Sequence, residues 1–352
     1  MRANVWPLLL VLTPRATYRC VSNGCTHREA AVSRFVACFR PFAFLAQTFL
    51  FVVFLQLPCS ATQTGGQEGN FASLAELEAR PTSGDPAAQF QLAFHLFQTG
   101  RPPSYPLILN LLRSSTAQHY APAQCLLGYF YEHALGLPRD YTKAAENYRA
   151  AALQGHLTAQ NNLANLYYTG HGVHKDLGSA FEWYRSAAEH GDANAERNFG
   201  YLYLQGKGTP RDYAQAAKWF RAAAEQGDCQ SEHVLGYLYY KGLGVPIDFN
   251  EAAHWKRLAA QQGDPYAQAD LGFLYESGQG VPLDHVAAYF WYSRAMAAGV
   301  KAAAEGRKSL THILTVKELE QAQALVANDT TRPQTTPTQS LRSASAALVQ
   351  DH

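Results

Sequence analysis

The sequence predicts an all-α protein, a right-handed α-solenoid of helix-turn-helix repeats with a period of 36 residues. Whole columns of identical residues recur at that step, for example Gly155, Gly191, Gly227, Gly263 and Gly299. Within each unit, apolar residues recur at spacings of three and four, which indicates two amphipathic helices. Neither helix can bury its apolar side alone, so neighbouring repeats must stack to form a core.

The first 61 residues are predicted to form a signal or targeting segment. An uncharged apolar stretch at 41–58 follows a basic flank and precedes the small residues Cys59, Ser60 and Ala61. Cleavage after Ala61 would place the mature chain in the periplasm or outside the cell. The alternative is that residues 41–58 stay as a membrane anchor, with the repeats outside the cytoplasm.

The segments before the regular repeats have two different characters. Residues 62–84 begin rich in Gly, Gln and Thr and are interpreted as a spacer. Residues 85–119 are interpreted as a degenerate capping repeat, which a solenoid needs at its end. Five full repeats follow at 120–299.

Each repeat carries its own helix boundary signals. Aspartates precede the second helices at Asp140, Asp176, Asp212, Asp248 and Asp284, where a carboxylate can accept from free backbone amides. Glycines follow the helices, where the left-handed backbone favours a residue without Cβ. A small column at Gly128, Ala164, Gly200, Gly236 and Gly272 predicts close approach of the two helices. Residues 300–327 are interpreted as C-terminal capping helices, and 328–352, rich in Thr, Ser, Pro and Gln, as a disordered tail.

These motifs are similar to those of a known repeat family. The pattern AxxxLGxLYxxGxGVxxDxxxAxxWYxxAAxxG is read in Ala267, Leu271, Gly272, Leu274, Tyr275, Gly278, Gly280, Val281, Asp284, Ala288, Trp291 and Tyr292. It closely resembles the Sel-1-like repeat family, a branch of the tetratricopeptide-like helical repeats, over about residues 85 to 310. The resemblance implies a non-catalytic adaptor that holds other proteins together, and it implies no particular ligand or cofactor.

Charge and motif content argue against several function classes. The chain has 29 Lys and Arg against 28 Asp and Glu, which disfavours a nucleic-acid partner. The GxG turns follow helices rather than strands, so they do not predict a phosphate cradle.

Cys125 and Cys229 are too far apart in sequence to predict a disulfide framework or a zinc site, and no metal or catalytic site is expected. An arginine column precedes Glu189 and Glu225 by four residues, which favours ion pairs on a solvated helix face.

The first helices are predicted to line a concave groove that binds a protein or peptide. The candidate residues follow the small column or lie one turn away: Tyr129, Asn165, Tyr168, Arg197, Tyr201, His233, Tyr237, Tyr240 and Phe273. Tyrosine and arginine are enriched at interface hot spots. The competing interpretation is that these aromatic side chains pack between adjacent first helices.

Two other functions are kept as alternatives. One is an envelope hydrolase or glycan-binding protein acting on peptidoglycan or a β-lactam, as linked to the cysteine-rich Helicobacter-type branch. The paired cysteines of that branch are absent here, which weakens this alternative. The other is a membrane-anchored adaptor of a degradation or secretion complex, favoured if residues 41–58 are retained.

Overall fold

The computed structural model describes residues 84–99 and 105–329 of this chain. Those residues form fourteen α-helices and no β-strand. The helices are α1 Pro86–Thr99, α2 Tyr105–Ala117, α3 Ala121–His133, α4 Tyr141–Ala152, α5 Leu157–Thr169, α6 Leu177–Glu189, α7 Ala193–Gln205, α8 Tyr213–Glu225, α9 Cys229–Lys241, α10 Phe249–Gln261, α11 Pro265–Ser277, α12 His285–Ala297, α13 Lys301–Ile313 and α14 Val316–Ala327. The predicted signal segment, the spacer up to residue 83 and the tail from residue 330 lie outside the described residues.

From α1 to α13 each helix packs against the next along the chain, and α14 packs on α12, so the repeat unit is a helix pair. The first helices of the regular repeats are α3, α5, α7, α9 and α11, and the second helices are α4, α6, α8, α10 and α12. The prediction of an all-α solenoid with a 36-residue period is confirmed. Helices α1 and α2 cover the segment interpreted as a degenerate repeat, and α13 and α14 cover the segment interpreted as a C-terminal cap.

Aspartates at the second-helix N-caps set where each repeat turns. All five accept hydrogen bonds from backbone amides of the first helical turn. Their own amides donate to a tyrosine carbonyl of the preceding helix; Asp212 N, for example, lies 3.0 Å from the oxygen of Tyr203. Each aspartate therefore ties the interhelical loop to the first helix through its backbone amide and to the second helix through its side chain.

Glycine supplies the left-handed backbone that ends four of the five first helices. Gly170, Gly206, Gly242 and Gly278 cap α5, α7, α9 and α11 at φ between 67° and 83°. In the first regular repeat Ala134 takes this conformation instead, at φ 59°. A Cβ in this region is strained, which explains the glycine column.

The small column makes room for a large side chain of the second helix. A Cβ built at Gly272 would lie 2.7 Å from the Tyr292 ring, and one at Gly200 would lie 3.3 Å from the Phe220 ring. Tyr292 and Phe220 are both nearly or fully buried. The expected close approach of the two helices is therefore present, and in these repeats an aromatic ring of the second helix packs directly against the glycine of the first helix.

Cysteine chemistry differs from the expectation at one position. Cys125 is fully buried and disulfide-bonded, whereas the sequence spacing predicted no disulfide in the repeats. Cys229 is a free thiol. Sequence spacing within the repeats alone could not reveal such a bond.

Candidate functional site

The predicted groove residues all lie on first helices, but their burial differs between repeats. Six of them are half-buried: Tyr129, Asn165, Tyr168, Tyr201, His233 and Tyr240. Arg197 is buried, whereas Tyr237 and Phe273 are 45% and 44% exposed. The surface is thus uneven along the array, and its exposed aromatic residues belong to the fourth and fifth regular repeats.

In the first three regular repeats these positions contribute to packing. The Tyr129 ring stacks on His133 with centroids 4.0 Å apart, and burial raises the pKa of the Tyr129 hydroxyl. Asn165 Oδ1 accepts a hydrogen bond from the Tyr184 hydroxyl. The Tyr201 ring meets Phe220 edge-on at 4.9 Å. These contacts lie within one first helix or join it to the second helix of the same repeat, so they differ from the competing interpretation, which placed the packing between adjacent first helices.

In the last two regular repeats the same face presents aromatic rings to solvent. Tyr240 of α9 contacts Phe273 of α11, with ring centroids 6.4 Å apart. Tyr266, one residue into α11 and seven before Phe273, is 42% exposed. Residues seven apart share a helix side. We define the aromatic face as Tyr237, Tyr240, Tyr266 and Phe273.

Sequence reasoning missed Tyr266. Its column holds Pro122, Thr158, Asn194 and Gln230 in the other repeats, so no aromatic pattern marks it. The signal that could have found it is the seven-residue step to Phe273 within α11.

A network of charged side chains borders the aromatic face. His233 Nδ1 lies 3.1 Å from Asp264 Oδ1, and His233 Nε2 lies 3.4 Å from Lys256 Nζ. Lys256, whose side chain is 4% exposed, also pairs with Asp270, whose side chain is 50% exposed. Burial alone would raise the pKa of Asp264, but the hydrogen bonds from His233 and from the Ala267 amide, with the nearby Lys256 ammonium, together hold the pKa below its usual value. The side chains of His233, Lys256, Asp264 and Asp270 are thus hydrogen-bonded or ion-paired to one another.

Arg197 makes the equivalent link one repeat earlier. Its guanidinium pairs with Asp228, the N-cap of α9, which also accepts from the Ser231 amide at 2.8 Å. His233 and Asp264 stand in the same relationship, 31 residues apart. Arg197 and His233 therefore join one first helix to the N-cap of the next.

Tyr168 lies where the first-helix face meets an interhelical loop. Lys207, from the loop of the following repeat, donates to the Tyr168 hydroxyl and lies 4.9 Å from the centre of its ring. This loop thus reaches the border of the first-helix face.

The arginine column has a second partner that the sequence did not suggest. The expected pairs with acidic residues four positions on are present, at 3.9 Å for Arg185 to Glu189 and 4.0 Å for Arg221 to Glu225. Arg149 also donates to the Tyr167 hydroxyl at 2.8 Å, and Arg257 to the Tyr275 hydroxyl at 3.2 Å. Each of these bonds ties a second helix to the first helix of the next repeat.

The described residues offer little for nucleophilic or metal chemistry. Burial raises the pKa of the Cys229 thiol to about 12, so the thiolate is scarce at neutral pH. No group of three His, Cys, Asp or Glu residues in the described ranges is arranged to hold a metal ion. Of the helices that the structure describes, none is long and apolar enough to cross a bilayer.

Two solved structures are similar to this chain over most of its length. One is a protective antigen present in uropathogenic Escherichia coli strains and displaying an SLR fold, 33% identical, with a TM-score of 0.66 over 72% of this chain. The alignment spans 55% of that protein. The other is a Sel1 repeat protein from Oxalobacter formigenes, 35% identical, with a TM-score of 0.56 over 61% of this chain and 88% of that one. A comparison with curated proteins found no match.

A family model for the Sel1 repeat matches six segments of the sequence. They are residues 86–107, 121–156, 157–192, 193–228, 230–264 and 265–300. The last five matched segments follow the helix pairs from α3 to α12, and the first covers α1 and the start of α2. Because they make up more than half of its residues, this chain belongs to the Sel1 repeat family.

Proposed function

We propose that this chain is a non-catalytic scaffold that binds a protein or peptide partner through the aromatic face, outside the cytoplasm. Proteins built from Sel1 repeats generally serve as protein-interaction scaffolds and are typically non-catalytic. The observation that carries the proposal is the exposure of Tyr237, Tyr266 and Phe273, at 45%, 42% and 44%, on first helices of adjacent repeats. Large aromatic side chains are costly to leave in water and are enriched at interface hot spots.

The surroundings of these rings suit a binding surface. Tyr237 and Phe273 occupy equivalent positions 36 residues apart, and Tyr240 bridges the two helices by its contact with Phe273. Asp270 lies between Tyr266 and Phe273 in sequence and leaves half of its side chain in solvent. An apolar centre with polar groups at its border is the usual anatomy of a protein interface. A partner of this face would bury the rings and keep Asp270 at the rim.

Photo-cross-linking tests this assignment in the native host. A photoreactive phenylalanine replaces Tyr237 in one variant and Trp183 in a control, because Trp183 lies on the second helix α6. The proposal expects one partner to be cross-linked from position 237 and not from position 183. Equal cross-linking from both positions, or none from 237, contradicts the use of this face.

A second candidate is a glycan ligand, favoured by the same exposed rings beside the Asp270 carboxylate. Purified peptidoglycan fragments serve as the probe, with binding followed by the fluorescence of the purified chain. Saturable binding that is lost in Tyr266→Ala, together with no protein cross-link from position 237, would favour the glycan over the protein partner.

Export is proposed from the apolar stretch at residues 41–58 and its small-residue flank. It fits with one similar structure being described as a protective antigen. Mass spectrometry of the chain recovered from its host tests it. A mature N-terminus at residue 62 is expected. Recovery of intact residues 41–58 in a membrane fraction would support the anchored alternative, and an uncleaved chain in the cytoplasm would contradict export.

A further inference from the structure

The residues just before the second-helix N-caps form a row in which the side-chain type changes along the array. It is cationic in the first three regular repeats and aliphatic in the last two: Arg139, Lys175, Arg211, Ile247 and Leu283. All five are exposed, Ile247 and Leu283 each at 61%. We call these five residues the loop row.

The base of four loop-row side chains, those of Lys175, Arg211, Ile247 and Leu283, lies against the glycine that ends the preceding helix. A Cβ built at Gly206 would lie 3.3 Å from the Arg211 Cβ, and one at Gly278 would lie 3.2 Å from the Leu283 Cβ. Packing against the helix end therefore holds the start of these four side chains in place. Only the outer part is left to contact a partner, so little backbone order is lost on binding.

Successive loops touch, so the row is continuous. A Cβ built at Gly208 would lie 2.6 Å from the carbonyl oxygen of Leu177 in the preceding repeat. Gly280 meets the carbonyl of Phe249 in the same way. Leu177 lies two residues after Lys175, and Gly208 three before Arg211. Consecutive members of the row lie one repeat apart, a step on the order of 10 Å on the scale of helix packing distances.

The three cations of the row keep their charge available. None of them forms an ion pair with a described residue. Arg139 and Arg211 each lie 5.9 Å over the ring of a neighbouring tyrosine, Tyr141 and Tyr213. The cap aspartates beside them are already occupied; Asp176, for instance, accepts from the Gly178 and Ser179 amides and from the Ser179 hydroxyl. A carboxylate of a binding partner could therefore form ion pairs with these three cations without displacing a carboxylate of a described residue.

We propose that the loop row binds an extended acidic segment of a partner protein. Its carboxylates contact Arg139, Lys175 and Arg211, and its apolar side chains contact Ile247 and Leu283. An extended chain advances about 3.1–3.4 Å per residue, so every third residue matches the spacing of the row. Two exposed aliphatic side chains would gain nothing from a nucleic-acid backbone. The loop row is a second surface, independent of the aromatic face.

A synthetic peptide tests the proposal by fluorescence anisotropy with the purified chain. The peptide carries Glu at three positions three residues apart, then Leu at the next two such positions, with Ser and Ala between. A scrambled peptide of equal composition is the specificity control. We expect the triple variant Arg139→Gln/Lys175→Gln/Arg211→Gln to bind about tenfold more weakly, with a shallower salt dependence.

Matched variants separate this site from general charge and from the aromatic face. Lys301→Gln/Lys308→Gln removes two exposed cations of α13 and should leave peptide affinity unchanged, as should Tyr237→Ala/Phe273→Ala. Ile247→Ser/Leu283→Ser should weaken binding. The melting temperature of each variant should match the parent, since all these side chains are exposed.

Several results would overturn the proposal. They are no binding up to about 1 mM peptide, equal affinity for the scrambled peptide, or an unchanged affinity of the triple variant. Phosphatidylserine vesicles form a further arm. Vesicle binding that the triple variant loses, without peptide binding, would assign the loop row to an anionic membrane surface instead.

Discussion

The side-chain amide of Gln262 donates to both carboxylate oxygens of Glu232, at 2.9 Å each. Glu232 lies in the first turn of α9 and is 2% exposed, and Gln262 is the C-cap of α10. Gln226 donates to Glu196 in the same way, at 2.8 Å. Burial raises the pKa of both carboxyl groups to about 7. Ionising either carboxyl group therefore costs free energy in the folded chain relative to the unfolded chain.

The double variant Glu196→Gln/Glu232→Gln should be more stable than the parent at pH 8. Gln160 and Gln268 occupy the equivalent positions in other repeats and donate to the carbonyl oxygens of Ala152 and Ala260, at 3.2 and 3.1 Å. An ionised carboxylate cannot donate there. We expect a gain of about 1–2 kcal/mol in the free energy of unfolding, measured by urea denaturation.

The pH dependence of the parent follows from the same shifts. The pKa of both groups is higher in the folded chain than in the unfolded chain, so the folded chain binds more protons between about pH 4.5 and 7. Their contribution should therefore make stability fall as pH rises through this window. The double variant should lose that part of the slope, whereas Glu182→Gln, at an exposed side chain, should retain it. Identical profiles for parent and double variant would contradict the assignment.

Tyr201 and Tyr237 occupy equivalent positions but should respond differently to truncation. Tyr201 packs on Phe220, whereas Tyr237 is 45% exposed. We expect Tyr201→Ala to lower the free energy of unfolding by about 2–3 kcal/mol and Tyr237→Ala by less than about 0.5. Thermal or urea unfolding of the two single variants measures this. An equal loss in both would show that Tyr237 is a packing residue.

Lys256 stands where Tyr148, Tyr184, Phe220 and Tyr292 stand in the other repeats. Its aliphatic stem packs on the α-carbon of Gly236, and its buried ammonium pairs with Asp270. Lys256→Met keeps the stem and removes the buried charge, so its stability should lie within about 1 kcal/mol of the parent. Lys256→Ala should lose about 2–3 kcal/mol by leaving a cavity. Equal losses in both variants would show that the charge, rather than the packing, holds this position.

The repeat architecture was predictable because its determinants are local. A glycine at a left-handed helix end and an aspartate at an N-cap each satisfy a backbone requirement of their own turn, and both recur every 36 residues. The pattern thus fixes the helix boundaries before any packing is known.

The exposed part of the first-helix face was less predictable, because it depends on residues from another helix. In the third regular repeat Phe220 covers Tyr201, but in the fourth the same column holds Lys256, so Tyr237 has no ring of that column to pack on. The burial of Arg197 likewise depends on Asp228, which belongs to the next repeat. Periodicity places these residues on one face of the first helices. It does not predict which side chains of the second helix or of the next repeat pack against them.

Partner binding by the aromatic face is tested most directly by an affinity. Isothermal titration calorimetry would compare the cross-linked partner's binding to the parent and to Tyr237→Ala/Phe273→Ala, with equal melting temperatures checked first. We expect at least about tenfold weaker binding by the variant, since truncating interface hot spots typically costs more than 1 kcal/mol each. An unchanged dissociation constant at unchanged melting temperature would contradict it.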